Sequence, residues 1–117
     1  LMQRTDALYI ITDNLIASSV ELVIQKANEK GVVTLGSERG MVETGLLLTH
    51  SIDYKELGRQ TARMAERILI QGADVASMPV EYLENTQLII NKKTMETLQI
   101  EIPQDILAEA ELVERTE

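Results

Sequence analysis

Residues 7–14 read Ala-Leu-Tyr-Ile-Ile-Thr-Asp-Asn, an apolar run followed at once by three residue types that cap helices. A short apolar run bounded by such residues is typical of a strand buried on both faces of a parallel sheet. Thr, Asp and Asn favour helix starts because their side-chain oxygens accept hydrogen bonds from free backbone amides. The stretch therefore predicts a strand over 7–11 that leads into a loop and then a helix.

The next residues predict a helix and a second strand. Lys30 and Gly31 provide the cation and the glycine that commonly end a helix. Residues 32–35 form another apolar run, closed by Gly36. Strand, helix and strand in this order imply a parallel pair with a right-handed crossover. The apolar residues of the helix recur with helical spacing along one face; they are Ile16, Val20, Val23, Ile24 and Ala27.

A third strand and a long helix follow. A polar loop with a helical turn at 41–43 precedes an apolar run at 46–49, which we predict to be a strand. Asp53 and Glu56 fit a capping box, in which each side chain bonds the other residue's backbone amide. We therefore predict a helix over 54–70, where Gln71 and Gly72 provide a stop signal.

The remainder of the chain predicts short elements separated by Pro and Asn signals. In chain order they are a linker at 73–79, two strands at 80–83 and 88–90 that pair with each other, a helix capped by Asn91 that ends at Leu98, and a last helix over 104–113 that begins after Pro103. The whole pattern predicts an α/β fold with a mostly parallel sheet.

The composition describes an acidic chain with an aliphatic core. Of the 117 residues 44% are apolar but only 3% aromatic, and the net charge is −8. The basic residues look dispersed, so electrostatic binding of nucleic acid or of an anionic membrane surface is not expected. The absence of cysteine excludes disulfides and thiolate zinc sites. His50 is the only histidine, and without a nucleophile or metal partner it is expected to be structural or exposed. We predict no metal site and no cofactor.

Polar clusters follow each of the three predicted strands. The carboxyl ends of parallel strands meet at one edge of the sheet, so these clusters are expected to converge there. The carboxylates of Asp13 and Glu38 suit a ligand ammonium group, and Asn14 with the helix-start amides suits a carboxylate. The sequence thus predicts a site for a zwitterion such as an amino acid. The clusters are Thr12-Asp13-Asn14, Ser37-Glu38-Arg39 and Ser51-Ile52-Asp53.

Each candidate residue also has a simpler interpretation. Asp13 or Asn14 can serve only to cap the first helix, and Glu38 can be a solvated loop acid. For Asp53 the capping role is favoured, because Glu56 completes the capping box.

Enzyme signatures are absent from the sequence. It contains no Gly-x-Ser-x-Gly elbow, no phosphate-binding loop, no His-Glu-x-x-His and no dinucleotide-binding glycine set. We therefore predict a binding protein rather than an enzyme. A receiver-type domain would need Asp13 as its phosphate acceptor, but the acidic pair and the lysine that accompany it are not apparent. A purely structural interaction module remains an alternative.

Several stretches, taken in order, resemble the ABC-transporter substrate-binding family, which has the type I periplasmic-binding-protein fold and includes members that bind tryptophan or related amino acids. The resemblance implies Rossmann-like three-layer αβα lobes, joined by three crossovers, that close on a ligand in the cleft between them. The stretches are residues 6–14, 27–29, 40–45, 52–62, 88–91 and 102–103.

The resemblance implies how the chain divides between the lobes. Residues 1–53 would form a βαβ core of the second lobe, 54–78 a helix of the first lobe, and 79–117 the return to the second lobe. The first lobe and the front of the second would lie outside this chain. Ligand-contact positions of the family fall on Asp13, Asn14, Ser37 and Glu38, with Thr12, Ile52 and Asp53 as weaker candidates.

The implied function is the solute-binding component of an ABC importer, in the periplasm or on the cell surface. Its partners would be a small-molecule ligand and the permease subunits, with the membrane reached only through a lipid anchor upstream of this chain. The helix over 54–70 is expected to bury its apolar face against another chain, so that the fragment could form a homodimer. The alternative is the ligand-sensing domain of a transcriptional regulator with the same fold, which an upstream helix-turn-helix would reveal.

Overall fold

The structure is a computed structural model that describes residues 4–114. Within that range the chain forms strands and helices in a largely alternating order. The strands are β1 (Ala7–Ile10), β2 (Val33–Gly36), β3 (Leu48–Ile52), β4 (Thr86–Asn91) and β5 (Glu111–Val113). The helices are α1 (Asn14–Ser18), α2 (Val20–Glu29), α3 (Arg39–Thr44), α4 (Tyr54–Leu69), α5 (Lys92–Thr97) and α6 (Gln104–Glu109), with a 3-10 turn at Val75–Ser77.

The five described strands form one sheet in the order β1-β2-β3-β4-β5. β1 and β2, β2 and β3, and β4 and β5 pair in parallel. The Asn91 amide, at the end of β4, donates to the Leu47 carbonyl just before β3 at 2.8 Å. A parallel pairing in that register would set β3 beside α5, so β4 must run antiparallel to β3. The prediction of an α/β fold with a mostly parallel sheet is confirmed.

The direction of β4 determines which strand ends lie at the same edge of the sheet. β1, β2 and β3 end at the edge where β4 and β5 begin. We call it the ligand edge, meaning the side of the sheet that carries residues 11–14, residues 37–39, Ser51, Gln87 and Glu111. The residues that follow β1, β2 and β3 therefore lie at the same edge as the first residues of β4 and β5.

The chain divides into two compact units. The first comprises Leu1–Ser51 and Gln87–Glu117, as far as these ranges are described, and the second comprises Ile52–Thr86. The second unit contains α4, the 3-10 turn and the segment that leads to β4. The assignment of residues 54–78 to a separate lobe stays a prediction.

The core of the first unit is aliphatic, as the composition requires. α3 packs close to the sheet because Gly36 has no side chain. A Cβ at Gly36 would approach Leu46 Cδ1 to 2.9 Å and Met41 Cβ to 3.3 Å, both closer than ordinary packing allows. The buried cluster consists of Ile10, Val20, Met41, Val42, Leu46 and Ile89.

Asn91 ties three elements of the first unit together. Its side chain is 1% exposed. Nδ2 donates to the Val42 carbonyl at 2.8 Å, and Oδ1 accepts from the Thr94 amide at 2.9 Å, which caps α5. Thr94 Oγ1 in turn donates to the Gly45 carbonyl at 2.8 Å.

We expect Asn91→Ala to lower the free energy of unfolding by about 2 kcal/mol, because it removes the cap of α5 and one of the two hydrogen bonds that the buried Val42 carbonyl accepts, the other coming from the Gly45 amide. Urea unfolding followed by circular dichroism measures this. Asn85→Ala is the matched control, since Asn85 is exposed. If both variants unfold at the wild-type midpoint, this role of Asn91 is refuted.

The first predicted helix is wrong in one respect, because it is two helices. Ser19 leaves the helical conformation, with φ −116° and ψ 9°, and separates α1 from α2. Ser18 Oγ donates to the Leu15 carbonyl at 2.7 Å, a side-chain bond of the kind that competes with helix hydrogen bonds. The apolar face is retained on both sides of the break, since Val20 is buried and Ile16 packs on the core.

The other differences lie near the sheet. No strand forms at 80–83, where Val80 is 76% and Tyr82 is 81% exposed, so the predicted pairing with 88–90 is wrong. The last helix ends at Glu109, and the following residues pair with β4 as β5. The turn at 41–43 extends to all of α3, and the third strand begins two residues later than predicted.

α4 matches its predicted helix closely. Asp53 Oδ1 accepts from the Lys55 amide at 2.7 Å and from the Glu56 amide at 3.4 Å, as an N-cap should. Basic residues recur every four positions along α4 and form a row on this helix. They are Lys55, Arg59, Arg63 and Arg67. The expectation that the basic residues are dispersed is therefore wrong for α4. Arg59 pairs with Glu56 and Arg67 with Glu81, which neutralises part of the row.

Candidate functional site

The structure brings the first two predicted clusters together at the ligand edge. Thr12 Oγ1, after β1, donates to Ser37 Oγ, after β2, at 2.8 Å. β1 and β2 pair in parallel up to Ile10 and Gly36, so the residues that follow these strands emerge side by side. This hydrogen bond links positions 25 residues apart. It shows that the two loops share one surface, as their positions after parallel strands predicted.

Asp13 caps α1. One of its carboxylate oxygens, Oδ1, accepts from the Leu15 amide at 2.9 Å and from the Ile16 amide at 3.0 Å. The Leu15 amide, one of the helix-start amides that the sequence offered to a ligand carboxylate, thus already donates to Asp13. Asp13 Oδ2 takes no part in these bonds, and both Asp13 and Asn14 are exposed. Capping and ligand contact are compatible at this residue, since they use different oxygens.

Glu38 offers a carboxylate that is not used as a cap. It lies between β2 and α3 in extended backbone, with φ −149° and ψ 156°, and its side chain makes no capping hydrogen bond. The residue is half-buried. Its neighbour Ser37 is held by Thr12. A carboxylate supported in this way can accept hydrogen bonds from a ligand ammonium group.

Arg39 is bound within the protein. Its guanidinium donates to Glu111 through both terminal nitrogens, at 2.8 and 2.6 Å, and through Nε to Glu43 at 2.6 Å. The hydrogen bonds that Arg39 donates lower the pKa of the Glu111 carboxyl, and its bonds to Glu111 and Glu43 raise the pKa of Arg39. Gln87 Nε2 also donates to Glu111, at 2.8 Å. Arg39 is thus not a free cation for a ligand.

Glu111 is the site residue that sequence reasoning missed. It lies 72 residues from Arg39 and was placed inside the predicted last helix. No local signal in the sequence marks it, since its partner is decided by the direction of β4 and β5. An acid just before a short apolar pair, Leu112 and Val113, was compatible with a strand start but too weak to indicate one.

The third predicted cluster is divided between the two units. Ser51 belongs to the first unit, whereas Ile52 and Asp53 belong to the second, where Asp53 caps α4. Ser51 is 5% exposed, and its hydroxyl has no hydrogen-bond partner among the described residues. Leaving a buried hydroxyl unpaired costs about 1–3 kcal/mol. Ser51 therefore has hydrogen-bonding capacity that the described part of the chain does not use.

The described residues carry neither a metal site nor a membrane span. Between residues 4 and 114, no group of three or more His, Cys, Asp or Glu side chains could hold a metal ion. His50 is exposed on β3. No helix in this part of the chain has the length and apolar character required to cross a bilayer.

Residues 1–114 match the family model described as ABC transporter substrate binding protein. The chain belongs to this family. Its members are substrate-binding proteins rather than enzymes, which confirms the prediction of a non-enzymatic protein. Substrate-binding proteins of ABC transporters are extracytoplasmic.

Three relatives illustrate the similarity. A tyrosine-binding protein of Clostridioides difficile is 39% identical over 101 residues, which is 86% of this chain and 29% of the relative. The structure of an ABC domain in complex with L-Trp from Streptococcus pneumonia matches with a TM-score of 0.83 and 34% identity, over 96% of this chain and 38% of that one. A ligand-free, open substrate-binding protein with adhesive properties from Clostridium difficile matches with a TM-score of 0.76 and 35% identity, over 94% and 36%.

The chain spans about a third of the length of these relatives. The ligands of these relatives are therefore bound by proteins about three times as long as this chain. The similarity confirms the family and the fold predicted from the sequence, and it leaves the ligand-contact residues to be proposed.

Proposed function

We propose that this chain is part of the solute-binding component of an ABC importer and that its ligand is an amino acid, with aromatic amino acids as the first candidates. The observation that carries the proposal is the Thr12–Ser37 hydrogen bond, because it joins the loops after β1 and β2 into one polar surface. The relatives that bind tyrosine or are seen with L-Trp support an aromatic ligand.

The proposed contacts follow from the chemistry of each side chain. The Glu38 carboxylate and the Oδ2 atom of Asp13 accept from the ligand ammonium group. Glu38 makes no capping hydrogen bond, and the capping bonds of Asp13 use only Oδ1. Asn14 donates its side-chain amide to the ligand carboxylate. Thr12 and Ser37 keep the two loops in register through their mutual hydrogen bond. Asp53 can contact the ligand only through Oδ2, because its Oδ1 atom caps α4.

The proposed mechanism needs a second lobe. Residues 1–53 and 79–117 would supply the later part of one lobe, and 54–78 a helix of the other. A ligand that touches both lobes binds the closed state more tightly than the open state and shifts the population toward it. The permease subunits would then recognise the closed form. A lipid anchor or a periplasmic location would keep the protein outside the cytoplasm.

α4 carries further support for a partner surface. None of its residues is buried, and its last residue, Leu69, and the following Ile70 are 81% and 78% exposed. Apolar residues exposed side by side commonly mark an interaction surface. In the two-lobed protein the first lobe would cover them. For the chain alone, a second copy is the proposed occupant.

Glu38→Gln, introduced into the two-lobed protein that contains this chain, tests the proposal. We expect the dissociation constant for L-tyrosine and for L-tryptophan, measured by titration calorimetry, to rise at least about tenfold, because a charge-assisted hydrogen bond to the ammonium group is lost. Glu96→Gln is the matched control, since Glu96 is an exposed acid on α5. Equal affinity of Glu38→Gln and wild type would remove Glu38 from the site.

Native mass spectrometry of the protein purified from its source gives an independent answer on the ligand. A co-purifying amino acid with one ammonium and one carboxylate group supports the proposal. A co-purifying sugar or metal chelate would contradict it.

A further inference from the structure

Arg39 is a cation placed next to a carboxylate that the proposed function assigns to a ligand ammonium group. It directly follows Glu38 in the chain, yet its guanidinium is turned to Glu111 and Glu43. The bidentate bond to Glu111 uses both terminal nitrogens, and Nε is used by Glu43. These bonds use three of the five N–H donors of the guanidinium and direct it to Glu111 and Glu43.

We propose that Glu111 is a positioning residue that holds Arg39 away from Glu38 and so keeps the Glu38 carboxylate available for a cationic ligand group. The inference rests on the proposed function. Glu111 acts through Arg39 and is not itself assigned a contact with the ligand.

The charges at the ligand edge support this role. Arg39 contributes one positive charge, whereas Glu43 and Glu111 together contribute two negative charges, so this group leaves the local potential negative. A free arginine beside Glu38 would compete with an ammonium group for the same oxygens. Opposite charges in contact attract each other, so a released guanidinium would reduce the availability of the Glu38 carboxylate to the ligand.

Glu111 is itself held in place by the strand that returns to the first unit. Gln87, the first residue after the second unit, donates to Glu111 Oε2 at 2.8 Å. Glu111 begins β5, which pairs in parallel with β4. Arg39 is therefore anchored to the sheet by two strands rather than by a mobile surface acid. The side chains of Arg39 and Glu111 are 41% and 37% exposed, so solvent still reaches the pair and its strength depends on salt.

The test compares Glu111→Gln, Arg39→Gln and the double variant in the two-lobed protein, with L-tyrosine and L-tryptophan as probes at low ionic strength. We expect Glu111→Gln to weaken binding about fivefold to tenfold, because it frees Arg39 to compete for Glu38. The double variant is expected to bind within about threefold of wild type, because the competing cation is gone. Glu29→Gln, which breaks the exposed Lys26–Glu29 pair on α2, is the control and should leave affinity unchanged.

A purely structural role for the pair gives a different pattern. In that case the double variant binds at least as weakly as Glu111→Gln, and the loss of affinity in each variant is accompanied by a fall in its melting temperature. That outcome overturns the inference, as does wild-type affinity in Glu111→Gln.

A crystal structure of the Glu111→Gln variant decides the matter without a ligand. We expect the Arg39 guanidinium to move to within about 4 Å of the Glu38 carboxylate, the range of an ion pair. Retention of the wild-type position on Glu43 and residue 111 would overturn the inference. If wild-type protein binds neither amino acid, the proposed function fails, and this structure still tests whether Glu111 restrains Arg39.

Discussion

We expect the replacement of Leu46 by alanine to lower the free energy of unfolding by about 3 kcal/mol. Leu46 is 0% exposed and belongs to the buried cluster that holds α3 against the sheet. Its Cδ1 atom lies where a Cβ at Gly36 would come within 2.9 Å, so the leucine fills the space that the glycine leaves. Truncation removes buried methyl groups and leaves a cavity, and such changes range over about 2–5 kcal/mol. Urea unfolding followed by circular dichroism measures the change.

Leu22→Ala is the matched control for this prediction. Leu22 lies on α2 and is 60% exposed. The same substitution there is expected to change the free energy of unfolding by less than about 0.5 kcal/mol, because no cavity forms and alanine is a good helix former. If the two variants have equal stability, Leu46 does not lie in the core that we describe.

The 117-residue chain on its own is expected to bind L-tyrosine and L-tryptophan about a thousandfold more weakly than a protein that presents it with a second lobe. If half of the contacts carry half of the binding free energy, a micromolar ligand, at about −8.2 kcal/mol, becomes a millimolar one, at about −4.1 kcal/mol. The exposed ligand edge agrees with this, since Thr12, Asp13 and Asn14 all face solvent.

Titration calorimetry of both proteins at the same pH and salt concentration measures the difference. Circular dichroism of the short chain is the control, because it shows that weak binding does not come from unfolding. Micromolar binding by the short chain would refute the need for a second lobe and would limit the site to the loops after β1 and β2.

Much of the local structure could be predicted, because the interactions that decide it span only a few residues. Asp13, Asp53 and Asn91 each cap a helix through an amide two or three positions ahead. Such signals can be recognised in the sequence itself. The amphipathic pattern of α4 was equally clear, and its bounds differ from the prediction by one residue.

The candidate site could be predicted in part. The Thr12–Ser37 contact follows from a general property of parallel strands, whose carboxyl ends lie side by side. The ion pair of Arg39 with Glu111 could not be found in this way. It depends on β4 running antiparallel to β3 and on residues after Glu109 leaving α6 to pair with β4.

The sequence by itself determined the α/β class, the aliphatic core, the capped helix starts and the placement of acids after the first two strands. These features arise from periodicity and short-range hydrogen bonds. The expected burial of the first strand on both faces is wrong, because β1 lies at the edge of the sheet and Tyr9 is 68% exposed. Tertiary structure alone decided the break at Ser19, the fate of residues 80–83 and 111–113, and the partner of Arg39. The pairing of strands depends on hydrogen bonds between segments that are distant in the sequence, and no local pattern specifies which segment pairs with a given strand.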